Sequence, residues 1–181
     1  MSKCFERVGE GVEFPAPTGQ EAALLHDWSL YTPNLSDDQC LSLLWSIFER
    51  LGLLTALKID EGRFKTFLLT VRHNYRPNPY HNYWHAVDVT QCIYLLLQAM
   101  PQDSFTPLDL FSVLIAAIGH DVCHPSFNNH FHCKHATLTA CLFNDRSPLE
   151  NLHSLIVCAI LREYDFTSEW TREQRTRFYA I

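Results

Sequence analysis

The sequence lacks an apolar run long enough to cross a membrane as a helix. Such a helix needs about 18 consecutive apolar residues. The best run, Leu108 to Ile118, is shorter and is interrupted by Asp109 and Ser112. The N-terminus, MSKCFERVGEG, also has no apolar stretch of the kind found in signal peptides. These absences predict a cytoplasmic protein with no transmembrane segment.

The sequence has no excess of positive charge and no paired cysteines. Its 14 Lys and Arg are outnumbered by 20 Asp and Glu, for a net charge of -6. The composition therefore does not predict a positively charged surface of the kind that binds nucleic acid. Its seven cysteines are scattered without a CxxC pair, which favours reduced, buried thiols over a disulfide framework.

Apolar residues recur at helical spacing along much of the chain, and no segment alternates apolar and polar residues for long enough to predict a strand. SDDQ reads as a capping box that opens a helix ended by Gly52, and Thr106-Pro107 opens an almost wholly apolar one. HPSFNNHFH reads as a loop. We predict an all-α, compact multi-helix bundle over residues 36–181, preceded by an arm over residues 1–35. Helices are expected to begin near Ser36, Glu61, His81 or Asn82, Thr106, Lys134, Pro148 and Thr171.

The final segment, TREQRTRFYAI, has a helical pattern that reaches Ile181 without a cap. Its apolar side, Phe178 with Ile181, has only begun to form. Because exposed apolar faces and orphan carbonyls need partners, this pattern predicts a longer domain.

Nine of the ten histidines fall between His73 and His153, and these include the pair His81 and His85. At helical spacing, both of these side chains would lie on one face. They would then bind one metal, or serve as one ligand and one acid. In isolation, a partly buried pair hydrogen-bonded to the backbone is the better explanation.

His120-Asp121 is the sharper element, because it follows an apolar helix where a charged pair has no obvious core role. The pair would supply one nitrogen and one oxygen ligand, and the second carboxylate oxygen would bridge to another metal. Asp121 as a helix cap is the alternative, but it leaves His120 unexplained. His124, four residues on, fits an outer donor that orients a ligand or water.

SPLENLH has two readings of equal weight. Ser147, Pro148 and Glu150 form a capping-box pattern, which accounts for Glu150 alone. Glu150 and His153 also form a Glu-x-x-His pair, a recurrent metal-site element. His130, His132 and His135 read as solvated loop residues.

Together these residues form one candidate metal site, and mixed imidazole and carboxylate ligands suit zinc, magnesium, manganese or iron. Two cations bridged by a carboxylate would favour attack on a phosphoester, and a remaining imidazole would protonate the leaving oxygen. The set consists of His81, His85, His120, Asp121, Glu150 and His153.

The segments YHNYWHAVDV, HDVCHP and FNDRSPLENLH resemble the class I cyclic nucleotide phosphodiesterase family in order and spacing. The resemblance implies the all-α catalytic domain of that family. It also implies hydrolysis of a 3′,5′-cyclic nucleotide, cyclic AMP or cyclic GMP, to the 5′-monophosphate.

The resemblance also implies roles for the candidate residues, with Zn²⁺ and Mg²⁺ (or Mn²⁺) as cofactors. His85, His120 and Asp121 would bind zinc, with Asp121 bridging to magnesium, and His81 would be the general acid. The remaining residues would surround the waters held by the metals or line the substrate cleft; these are His124, Glu150 and His153 for the waters, and Tyr80 for the cleft.

The chain departs from the family pattern in two respects. Many members have an acidic residue at Cys123 and a glycine at Ser126. The family's fourth zinc ligand, an aspartate, and its base-binding glutamine and aromatic residue would follow Ile181. A non-catalytic regulatory or binding module with a partial metal site is therefore an alternative function, and another metal-dependent phosphohydrolase is a weaker one.

Overall fold

The computed structural model describes residues 5–8, 13–16, 19–101 and 104–180, and this part of the chain is all-α, without a strand. It confirms the predicted fold class. None of its helices is long and apolar enough to cross a membrane. The elements are α1 (Glu21–Leu24), a 3₁₀ turn (Thr32–Asn34), α2 (Asp37–Arg50), α3 (Leu53–Leu57), α4 (Glu61–His73), α5 (Tyr83–Gln98), α6 (Pro107–Gly119), α7 (Asn129–Lys134), α8 (Leu138–Leu142), α9 (Pro148–Tyr164) and α10 (Arg172–Phe178).

Side-chain caps start the helices that the sequence marked most clearly. Ser36 Oγ accepts from the Gln39 backbone amide at 3.2 Å, and Gln39 Oε1 accepts from the Ser36 backbone amide at 2.8 Å. Thr106 and Asp109 form the same reciprocal box at α6. Each box satisfies two of the amides that a helix N-terminus otherwise leaves without partners.

The core is built around α6, which packs against α3, α5, α9 and α10. The Phe111 ring at its centre lies 5.8 Å from Phe48, 6.0 Å from Phe64 and 5.9 Å from Phe178, between ring centroids. Phe48, Phe64 and Phe111 are fully buried. Because apolar burial on this scale fixes the helix in place, the residues directly after α6 are held firmly.

The end of α6 touches α9 through a glycine. A Cβ atom built on Gly119 would lie 2.3 Å from Val157 Cγ2, far inside a normal carbon contact. Only glycine allows the two helices this approach, at the residue that precedes His120.

The N-terminal segment packs on the bundle where it is described. Phe5 belongs to the buried core and Leu25 is fully buried. Thr32 Oγ1 donates to the Trp84 carbonyl at 3.0 Å, and Trp84 Nε1 donates to the Leu35 carbonyl at 3.0 Å. These bonds attach the segment to α5, while a domain boundary at residue 35 stays a prediction.

The predicted placement of His81 on a helix is wrong. α5 begins at Tyr83, with Asn82 as its N-cap accepting from the His85 amide at 3.1 Å. His81 therefore lies in the preceding loop, and helical spacing does not relate it to His85.

The stretch predicted as a loop contains helix α7. Asn128 caps it by accepting from the Phe131 amide. His132 on this helix is 5% exposed, with Nδ1 2.8 Å from Thr137 Oγ1, so its prediction as a solvated loop residue is wrong. His130 and His135 are exposed, as expected.

The capping box predicted at α9 is also wrong. Ser147 has φ 43°, in the left-handed region, and its side chain makes no cap hydrogen bond. At the far end of the chain, α10 ends at Phe178, which is buried against Phe111 and Trp170. The pattern predicted to run to Ile181 therefore stops earlier, and Ile181 lies outside the described residues.

Candidate metal centre

Three helices bring the candidate ligands together. His85 lies in the first turn of α5, His120 and Asp121 directly follow α6, and His153 lies on α9. The structure gathers one group from His85, His120 and Asp121, and an adjoining group from Asp121, His124 and His153; within each group the ligand atoms lie within 4.8 Å of one another. The structure therefore brings five of the predicted residues together, with Asp121 common to both groups.

The first group has the dimensions of a zinc site. His120 Nε2 lies 3.3 Å from His85 Nε2 and 3.2 Å from Asp121 Oδ2, and His85 Nε2 lies 3.7 Å from the same oxygen. In a tetrahedral site with zinc bonds of about 2.0–2.1 Å, neighbouring ligand atoms are about 3.3–3.4 Å apart. The residues present therefore fit a zinc ion, with three ligand atoms on one face of the tetrahedron.

Backbone carbonyls fix the orientation of two of the imidazoles. His120 Nδ1 lies 2.8 Å from the Ala117 carbonyl, and His153 Nδ1 lies 2.7 Å from the Val122 carbonyl. Because a carbonyl only accepts, Nδ1 carries the proton in each neutral ring. Nε2 is then left as a lone pair directed at the cluster, as in protein sites where a metal binds histidine.

Asp121 faces both groups with different oxygens. Its Oδ2 lies beside His120 and His85, whereas its Oδ1 lies 3.8 Å from His153 Nε2. The geometry suits a carboxylate that bridges two cations, the second of which would prefer oxygen ligands.

His124 has the opposite tautomer to its neighbours. The Ser126 amide donates to His124 Nδ1 at 3.0 Å, so in the neutral ring Nε2 carries the hydrogen. Neutral His124 is thus a hydrogen-bond donor at Nε2, and its outer role stays a prediction.

The pKa shifts favour the cation-binding protonation states of His85, His153 and Asp121, which are the neutral imidazole and the ionised carboxylate. Burial lowers the pKa values of His85 and His153, so their rings stay neutral. Burial also opposes the charged forms of His120 and Asp121, but their mutual hydrogen bond and charges outweigh it. The pKa of His120 is therefore raised and that of Asp121 lowered. For His124, burial and then the neighbouring His81 lower the pKa to about 4.

His81 and Tyr80 border the cluster without belonging to either group. The His81 ring stacks on the His124 ring, with centroids 4.0 Å apart and planes 13° apart. Tyr80 is 63% exposed and lies 4.6 Å from His85, between ring centroids. It lines a cavity of about 380 Å³ together with His85 and Asp88.

Glu150 stands apart from the ligand groups. It is exposed, and Asn129 Nδ2 donates to both of its carboxylate oxygens, at 3.1 and 2.9 Å. That amide lowers the pKa of Glu150. Glu150 still lines a cavity of about 350 Å³ with His120 and His153, so it lies beside the cluster rather than in it.

Sequence reasoning missed the polar residues of the NYRPNPY loop, which hydrogen-bond to the backbone of the segments that carry the cluster. Tyr75 Oη donates to the Ile118 carbonyl at 2.8 Å and accepts from the Asp121 amide at 3.3 Å. Asn78 Nδ2 donates to the carbonyls of His81 and His124. The available signal was Asn78 between Pro77 and Pro79, with Asn74 shortly before them, a composition that is equally typical of a loop without such contacts.

Comparison with known proteins decides the family. The family model described as 3′5′-cyclic nucleotide phosphodiesterase matches residues 80–181, which contain every candidate site residue. The chain belongs to this family. Within it, the chain is 37% identical over 141 residues to the 3′,5′-cyclic-nucleotide phosphodiesterase regA of Dictyostelium discoideum. It is 38% identical over 133 residues to the high affinity cGMP-specific 3′,5′-cyclic phosphodiesterase 9A of Mus musculus.

A solved phosphodiesterase structure shares the fold. The phosphodiesterase domain of the RhoPDE fusion protein from the choanoflagellate Salpingoeca rosetta superposes with a TM-score of 0.83 at 30% identity. The match covers 91% of this chain and 53% of that one. The matches to regA and to the mouse phosphodiesterase cover 77% and 73% of this chain, but only 18% and 24% of those proteins.

Proposed function

We propose that this chain supplies the metal-binding part of an enzyme that hydrolyses 3′,5′-cyclic nucleotides, cyclic AMP or cyclic GMP, to 5′-monophosphates. The carrying observation is the triangle of His85, His120 and Asp121, with sides of 3.2–3.7 Å, inside the segment matched by the phosphodiesterase family. We place the activity in the cytoplasm, because scattered cysteines without a CxxC pair are typical of a protein in a reducing compartment.

We assign zinc to His85, His120 and Asp121, and magnesium or manganese to the side of Asp121 Oδ1. When bound, the two ions would neutralise charge on the phosphodiester and activate water. The Asp121 side chain is half-buried, with Oδ2 beside His120 and Oδ1 beside His153. His124 and His153 would orient groups on the second side.

His81 is the proposed general acid, protonating the departing 3′ oxygen. It lies at the edge of the cluster, stacked on His124. Because the lowered pKa keeps His124 neutral near pH 7, a proton on His81 meets no like charge in the ring against which it stacks. Tyr80, 5.0 Å from His81 between ring centroids, would line the entrance for the nucleotide.

The test is metal loading followed by turnover. The chain, loaded with Zn²⁺ and then Mg²⁺, is assayed against cyclic AMP and cyclic GMP beside the variants His81→Asn and Asp121→Asn. We expect His81→Asn to bind zinc normally and lose turnover, and Asp121→Asn to lose both. If the chain neither binds zinc nor hydrolyses either nucleotide, the proposal is wrong.

A second candidate function is a binding module without turnover. It is favoured by one observation: the group assigned to zinc gathers three ligand atoms, which would hold an ion whether or not turnover follows. It predicts stoichiometric binding of zinc and nucleotide with no 5′-monophosphate released, measured by calorimetry and chromatography on the same sample.

A further inference from the structure

We infer that Asn74 is a positioning residue that joins the N-terminal segment, residues 5–8, to the turn carrying Asp121 and His124. Docking of this segment and metal binding would then favour each other. The inference rests on the proposed metal site for its functional consequence. The evidence for it is the hydrogen bonds and packing that link the segment, Asn74 and the turn.

The Asn74 side chain is buried and hydrogen-bonds to two backbone segments. Nδ2 donates to the Glu6 carbonyl at 2.7 Å and to the Thr70 carbonyl at 2.8 Å, while Oδ1 accepts from the Glu6 amide at 2.9 Å. Only an amide offers two donors and an acceptor in this planar arrangement. The pair with Glu6 therefore recognises backbone, regardless of the side chain at position 6.

The Asn74 main chain holds the metal turn. Its carbonyl accepts from the Cys123 amide at 3.0 Å. Cys123 lies between Asp121 and His124 and has φ 61°, a left-handed conformation that non-glycine residues adopt only where their surroundings impose it. The bond from Asn74 is one of the contacts that impose it.

The same turn fixes a further member of the cluster. The Val122 carbonyl, next to Cys123, accepts from His153 Nδ1 at 2.7 Å and so sets that ring's tautomer. A rotation of the Cys123 peptide would therefore disturb Asp121, His124 and His153 together. Asn74 touches none of these three side chains. It acts on them through the turn at Cys123, whose amide donates to the Asn74 carbonyl and whose Sγ donates to Asn74 Oδ1 at 3.9 Å.

The N-terminal segment has its own anchors on the bundle. Phe5 is buried in the core. Arg7 Nη1 lies 2.9 Å from Glu163 Oε1 of α9, in an ion pair. Glu6 Oε2 lies 3.2 Å from His73 Nε2. These anchors hold the Glu6 backbone against Asn74. Release of the segment would break both bonds between the Asn74 side chain and the Glu6 backbone, while the bond to the Thr70 carbonyl would stay.

The test compares two changes at Glu6 that differ in one N–H. Glu6→Pro removes the amide that donates to Asn74 Oδ1, whereas Glu6→Ala keeps it, and both lose the side-chain contact to His73. Asn74→Ala is the direct variant. Asp60→Ala, which removes the cap at the opposite end of α4, controls for plain destabilisation of that helix.

Two readouts are taken on the full chain: zinc affinity, by competition with a chromophoric chelator, and hydrogen exchange of the Cys123 amide in the metal-free protein. We expect Asn74→Ala and Glu6→Pro to weaken zinc binding about 10-fold or more, the range for groups that orient metal ligands. Both should also accelerate exchange at Cys123. Glu6→Ala and Asp60→Ala should leave both readouts unchanged.

The inference is overturned if Glu6→Pro matches Glu6→Ala in both readouts, or if Asp60→Ala shows the same changes as Asn74→Ala. The two proposals can fail separately. If the unaltered chain binds no zinc, the proposed function fails, while exchange at Cys123 still decides whether the segment holds the turn. Should Asn74→Ala not fold, the difference between Glu6→Pro and Glu6→Ala decides whether the inference holds.

Discussion

The contact between Gly119 and Val157 yields a prediction that links packing to the metal centre. Gly119→Ala would place a methyl group 2.3 Å from Val157 Cγ2, whereas carbon atoms in contact lie about 3.5–4.0 Å apart. The end of α6 and the face of α9 must therefore separate by roughly 1 Å or more. His120 and Asp121 would move with α6, and His153 would stay with α9.

The cost of this separation can be estimated. Overpacking of a core costs about 1–3 kcal/mol. The helix preference of alanine over glycine, up to about 1 kcal/mol in a helix interior, offsets little of it, because Gly119 is the last residue of α6. Val157→Ala alone removes two methyl groups at about 0.8 kcal/mol each, before any cavity term.

The double variant Gly119→Ala/Val157→Ala is the informative one. Without the two γ carbons, the nearest atom of residue 157 is Cβ at 3.4 Å, and the new methyl group fills space that Val157 left. We expect the free energy of unfolding of the double variant to be close to that of Val157→Ala. The coupling energy between the two substitutions should then be about 1–3 kcal/mol. Urea unfolding gives the free energies, and zinc competition should show affinity lost in Gly119→Ala and recovered in the double variant.

The reasoning is refuted if the two substitutions add without coupling, because the clash would then not lie between these side chains. It is equally refuted if Gly119→Ala unfolds like the unaltered chain, or if it loses stability and keeps full zinc affinity. The last result would mean that the position of His120 does not depend on the α6–α9 contact.

Three other measurements test the site and its supports. Because the folded state lowers the pKa of His124 from 6.5 to about 4, the unfolded chain binds more protons between these values. The free energy of unfolding of the metal-free protein should therefore fall as pH drops from 6.5 towards 4, and less so in His124→Asn. Asn129→Asp should raise the pKa of Glu150, measured by carboxyl NMR titration, since a second carboxylate replaces the donating amide. Ser36→Ala should cost about 1 kcal/mol in urea unfolding, and Gln39→Ala less, because it leaves the Ser36 bond in place.

Local chemistry made most of the helices predictable. The boxes at Ser36 and Thr106 form because their hydroxyl and the third helical residue are adjacent in sequence, so no distant contact is needed. The cluster of His120 and Asp121 was predictable for a similar reason, since a charged pair after an apolar helix needs partners.

The failures come from contacts that local patterns do not encode. At Ser147, the amide of Leu149 is satisfied by Asn129 Oδ1 at 3.0 Å, from a different helix, so the serine is not needed as a cap. At His81, Asn78 Nδ2 donates to the backbone carbonyl and holds the residue in the loop before α5. In both cases an asparagine outside the motif decides the outcome.

The origin of the proposed zinc ligands in two separate helical segments has a consequence for how the chain folds. His85 and His120 are 35 residues apart, so the group assigned to zinc exists only after α5 and α6 have docked. An unfolded chain presents no such group, and zinc would bind selectively to the native state. Each tenfold rise in free zinc above its dissociation constant should then add about 1.4 kcal/mol to the free energy of unfolding, making the melting temperature a direct measure of occupancy.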